Sequence, residues 1–91
     1  MILGMMSNKE HKEFIQILKD KVYSIITLNI PNQKNFLEKE RLKKIATSCG
    51  IPAKTGNSIK SSLINIAKEN SSATIFFTGS LYFVGEILNL N

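Results

Sequence analysis

Ninety-one residues, 43% of them hydrophobic and 21% charged, suffice for one small core and are too apolar for wholesale disorder. The single cysteine, Cys49, excludes an internal disulfide framework and a multi-cysteine zinc site, and fits a reducing compartment. The net charge of +5 invites a nucleic-acid reading, yet only one of the twelve basic residues, Arg41, is the arginine that reads base edges bidentately. In the densest basic stretch, residues 38–44, acids are interleaved and Glu40 stands four residues before Lys44, the pattern of a solvated helix face. Residues 1–6 lack the basic start and the length of a secretory signal. The longest apolar stretch, 73–88, is broken by Thr78, Gly79, Ser80, Gly85 and Glu86, which makes a poor membrane span. A cytoplasmic protein with no membrane partner is expected.

Apolar periodicity alternates along the chain between strand and helix templates. Residues 1–4 form a short apolar run closed by Gly4, a buried strand. Ser7 and Glu10 match a capping box, with Ser7 as N-cap of a helix whose stripe is Phe14, Ile17 and Leu18 and whose end carries Lys19 and Lys21. Residues 22–28 are rich in β-branched and aromatic side chains and run into Asn29-Ile30-Pro31-Asn32, a strand followed by a loop. Leu42, Ile45, Ala46 and Cys49 mark a second helix that Gly50 terminates. Residues 51–54 leave room for a short strand, which Pro52 confines to its start or to a sheet edge.

Asn57 or Ser58 can cap a third helix striped by Ile59, Leu63, Ile66 and Ala67. Residues 73–77 form a continuous apolar run, as in a strand buried on both faces. Gly79-Ser80 is then expected to turn into a last helix over 81–88, with Gly85 packed closely against another backbone. Strand–helix alternation with short links predicts an α/β domain: a small, mainly parallel sheet with helices on both faces, spanning 1–91 without repeats or linkers.

In open parallel sheets ligands bind beyond the carboxyl ends of the strands. Two such ends stand out. Lys9 falls in the opening turn of the first helix, where a cation opposes the dipole and is well placed to hold a carboxylate; the plainer reading is a solvent-exposed loop lysine. Ser80 follows a glycine after a buried strand and offers a hydroxyl at a helix N-terminus; the plainer reading is an ordinary N-cap. His11 is expected on an exposed helix face, Cys49 in packing, and Glu10, Glu13 and Glu38 on the surface. There is no phosphate loop, dinucleotide fingerprint or nucleophile elbow. No catalytic residue and no metal ligand is assigned.

Two segments nevertheless carry a family likeness. Leu3-Gly4-Met5-Met6-Ser7-Asn8-Lys9 with Phe14 behind it, and Phe77-Thr78-Gly79-Ser80-Leu81-Tyr82-Phe83-Val84-Gly85-Glu86, resemble the C-terminal domain of folylpolyglutamate synthase/dihydrofolate synthase, a member of the Mur-ligase superfamily. The likeness follows element order over essentially the whole chain, including residues 46–52. It implies a Rossmann-like domain of the Mur-ligase C-terminal type. The implied reaction is ATP-dependent ligation of L-glutamate to a folate or to dihydropteroate through an acyl phosphate. By resemblance to a related ligase that adds glutamate to a cell-wall precursor, Lys9 would supply charge to the incoming glutamate, and Gly79 and Ser80 its hydrogen bonds.

The sequence also departs from that family. The G-T-N-G-K-G-S phosphate loop and magnesium ligands of its central ATPase domain are missing, as is the D-x-A-H-N motif of the first strand–helix unit of the C-terminal domain. The expectation is therefore a truncated, glutamate-side domain that does not catalyse ligation alone, binds neither ATP nor Mg²⁺ itself, and has as possible partner a separate chain bearing the ATPase half. The alternative is a basic RNA-binding module, using Lys39, Lys43 and Lys44, or a dimerisation module joined through an exposed sheet edge; nucleic acid is the less expected partner because Phe76, Phe77 and Phe83 look committed to the core.

Overall fold

The computed structural model describes residues 1–68, 73–77 and 80–84. Five strands and three helices follow one another as β1 (Ile2–Gly4), α1 (His11–Leu18), β2 (Ile25–Thr27), α2 (Lys39–Ser48), β3 (Ala53–Thr55), α3 (Ile59–Ala67), β4 (Ala73–Phe77) and β5 (Ser80–Val84). The strands form one sheet in the order β3-β2-β1-β4-β5. The first four are parallel, registered by Ile26 on Ile2, Ala53 on Ile25 and Phe77 on Gly4, and β5 runs antiparallel along β4. The fold is α/β, as alternating periodicity requires.

Strand alternation sends successive β1 side chains into two cores. Leu3 joins Met5, Ile15, Leu18, Ile25, Leu42, Ala46 and Ile51 beneath α1 and α2, while Ile2 joins Ile26, Leu28 and Ile75 beneath α3. Helices thus cover both faces. Cys49 packs in the first core at 8% exposure, as its apolar stripe predicts. The second core is thinner. Ile59, Leu63 and Ile66 are only partly buried against it, and the buried residue of α3 is Ser62.

Helix ends follow local chemistry where nothing distant competes. Gly50, at φ +87°, closes α2: its N–H donates to the Thr47 carbonyl (3.0 Å) and that of Ile51 to the Ala46 carbonyl (3.0 Å). This is the paired 6→1 and 5→2 bonding of a glycine-stopped helix. Ser58 caps α3, accepting the Ser61 N–H at 3.0 Å.

Three expectations are corrected. The capping box does not form: α1 begins after Glu10, which makes no side-chain cap, and the Ser7 N–H donates instead to the Asn35 carbonyl at 2.7 Å. Lys9 accordingly precedes the helix rather than sitting in its first turn. The last helix is replaced, over Ser80–Val84, by strand β5; an extended partner satisfies the open edge of β4 that a helix would leave unpaired. The remainder of that expected helix, with Gly85, lies outside the described residues. The strand expected over 22–28 contracts to Ile25–Thr27.

Candidate functional site

The chain runs outward from β1 to β2 to β3, then returns across the sheet to place β4 on the other side of β1. The carboxyl ends of β1 and β4 therefore flank the point where the direction of winding reverses, the place where loops diverge and leave a crevice. The loop from Met5 to Glu10 leaves β1 there, and β4 ends there at Phe77. Gly4 and Phe77 are register partners, as are Phe77 and Ser80. Two strand spacings, about 10 Å, thus separate the Gly4 and Ser80 backbones along one rim of the sheet. A side chain at Gly4 would run into the Phe77 ring, so glycine is what lets the two strands close here.

The Met5–Glu10 loop is held on both flanks. Toward β2 it pairs with the segment before α2: Met6 bridges Phe36, the Leu37 N–H donates to the Met5 carbonyl at 2.9 Å, and the Ser7 N–H to the Asn35 carbonyl. Toward α1, His11 Nε2 lies 2.7 Å from the Met6 carbonyl and donates to it. His11 is half-buried, contrary to the exposed position its helix phase suggests. Lys9 is exposed at the crest of the loop. Beside it a cleft of about 250 Å³ opens, lined by Met5, Met6, Lys9, Glu10, Phe14 and Phe76, with the Phe14 and Phe76 rings 4.5 Å apart. The cleft joins a mostly apolar wall to one cation and one carboxylate at its mouth.

Of the expected ligand-holding residues, Lys9 and the backbone of Ser80 thus share one rim, and Gly79 lies outside the described residues. Ser80 begins a strand, so the argument that free helix N–H groups there cradle an anion falls away. A larger groove of about 470 Å³ opens at the opposite rim, between Lys21, Ser24, Lys54, Asn65 and Thr74. That rim holds the strand starts and the C-terminal ends of α1 and α3, whose partial charge is negative and unhelpful to an anion.

A polar network missed by sequence reasoning ties down the neighbouring loops. Fully buried Thr27 donates its hydroxyl to the Lys39 carbonyl (2.8 Å), Asn29 Oδ1 accepts the Lys39 N–H (2.8 Å), and Lys39 Nζ donates to the Gly56 carbonyl (2.9 Å). Lys39 is therefore a fastener of the β2–α2 and β3–α3 connections, whereas Arg41, Lys43 and Lys44 are exposed as expected. A threonine in a strand and a lysine opening a helix are common in sequence, and nothing local signals that they meet.

Among the described residues no three His, Cys, Asp or Glu side chains converge on a metal position. Among the described residues no helix is long and apolar enough to cross a membrane. No family model, curated protein or solved structure matches the chain.

Proposed function

We propose that this chain is the amino-acid side of an ATP-dependent acid–amino-acid ligase of the folylpolyglutamate synthase/dihydrofolate synthase type, a Rossmann-like domain that holds L-glutamate at the carboxyl rim of its sheet. The reading is supported above all by the pairing of Gly4 with Phe77: the two segments that resemble the family leave adjacent strands, at the same rim, at the reversal of winding. Lys9 supplies the positive charge for a substrate carboxylate, and the family resemblance alone assigns Gly79 and Ser80 its hydrogen bonds. Glutamate is held with its amine free to attack an acid activated elsewhere. The acid is activated by residues that this sequence does not contain, so the isolated chain hydrolyses no ATP in response to a folate, and a chain carrying the phosphate loop is its natural partner.

Titration of the ¹⁵N-labelled chain with L-glutamate tests the reading. Saturable shifts are expected at Lys9, Gly79 and Ser80, weakened about tenfold by Lys9→Ala, which removes one charge-assisted contact. L-Lysine, lacking the second carboxylate, serves as the control. Shifts that are absent, or that Lys9→Ala leaves unaltered, refute it. RNA binding that falls steeply with salt and tracks Lys43 and Lys44 would favour the nucleic-acid alternative instead.

A further inference from the structure

We infer that His11 is a positioning residue: it holds the loop that presents Lys9, and so sets the affinity of the carboxyl-rim site for an anionic ligand. The inference rests on the reading of Lys9 as the cation of that site. His11 opens α1, half-buried, and its Nε2 donates to the Met6 carbonyl at 2.7 Å. Among the described residues this is the one side-chain hydrogen bond that reaches the loop. The opposite flank is tied by backbone pairing at Met5, Met6 and Ser7. Between the two ties, Asn8, Lys9 and Glu10 are all exposed, and among the described residues their side chains make no hydrogen bond. The His11 N–H also donates to the Lys9 carbonyl at 3.0 Å, so one residue grips the loop at its start and at Lys9.

A cation on a loose loop must be ordered at the moment of binding, and that ordering subtracts from affinity; a loop fastened beforehand avoids the loss. A carbonyl oxygen only accepts, so Nε2 is the donor of this bond. Glutamine places an amide N–H at nearly the same reach and can replace it.

The test compares wild type, His11→Ala and His11→Gln by amide hydrogen exchange and by L-glutamate titration. His11→Ala is expected to melt within a few degrees of wild type, to exchange faster at residues 7–10, and to bind glutamate roughly 3- to 10-fold more weakly, the range of one lost hydrogen bond. His11→Gln is expected to restore both exchange and affinity, which a purely space-filling role would not produce. If alanine unfolds the chain, His11→Leu keeps the volume without the donor. Unchanged exchange in the donorless variant, or no rescue by glutamine, overturns the inference. A wild-type chain that ignores glutamate overturns the functional reading, and the exchange arm then decides by itself whether His11 holds the loop.

Discussion

The hydroxyl of Ser62 is 1% exposed as a residue and its Oγ has no hydrogen-bond partner among the described residues. It points at the backbone of Gly56: a Cβ built there would lie 2.6 Å from Ser62 Oγ, 2.7 Å from Ile26 Cγ2 and 2.8 Å from Leu28 Cδ2. An unpaired buried hydroxyl carries a desolvation cost of about 1–3 kcal/mol. Ser62→Ala removes it and adds a few tenths of a kcal/mol of helix propensity, against a small loss of packing. The net expectation is a gain of about 1–2 kcal/mol. For a domain of this size each kcal/mol moves the melting temperature by roughly 4–8 °C, so thermal unfolding followed by circular dichroism resolves the effect.

Gly56→Ala should act in the opposite direction, by about 1–3 kcal/mol, because three atoms must give way at once. Combining the two changes should recover part of that loss by removing one of the three obstacles, although Ile26 and Leu28 remain. The sum of the single effects would then misstate the double mutant by about 0.5 kcal/mol or more, the coupling expected of residues in contact. A Ser62→Ala protein that melts lower than wild type would show that the hydroxyl is bonded in solution and would refute this reasoning.

Thr27→Val keeps the shape of a fully buried side chain but deletes the donor to the Lys39 carbonyl, and should lower unfolding free energy by about 1 kcal/mol in a urea titration with an unchanged slope. The Met1 amine donates to the Ser24 carbonyl at 2.9 Å, and burial pushes its pKa below the ordinary value. In the window between the lowered native value and the unfolded value near 8 the unfolded chain binds more protons, so stability rises with pH there and levels off above it. The melting temperature of the free-amine chain should climb from pH 6 to pH 9 relative to an N-acetylated chain; parallel curves would show that this amine does not titrate differently on folding.

Local chemistry was legible where the partners of a residue lie within a few positions. Gly50 stops α2 because a residue at positive φ is needed there, and Ser58 caps α3 because its acceptor sits three residues from the donor. The alternation of strand and helix follows from period alone, whereas the assignment of Leu3 and Ile2 to two separate cores is read from the packed sheet. Lys9 could be placed at a strand's carboxyl end by the same counting.

Tertiary structure decided what long-range partners decide. Ser7 has the chemistry of an N-cap, yet Asn35 takes its N–H and the helix starts later. Residues 80–84 are apolar enough for a buried helix or a strand, which periodicity cannot separate in so short a run; the unpaired edge of β4 makes them a strand. His11 reaches back to Met6, and Lys39 meets Thr27, Asn29 and Gly56 only once the β2–α2 and β3–α3 connections converge. Sequence establishes which groups need a partner, and the packed fold chooses which partner they get, because each backbone donor and acceptor removed from water must find one somewhere.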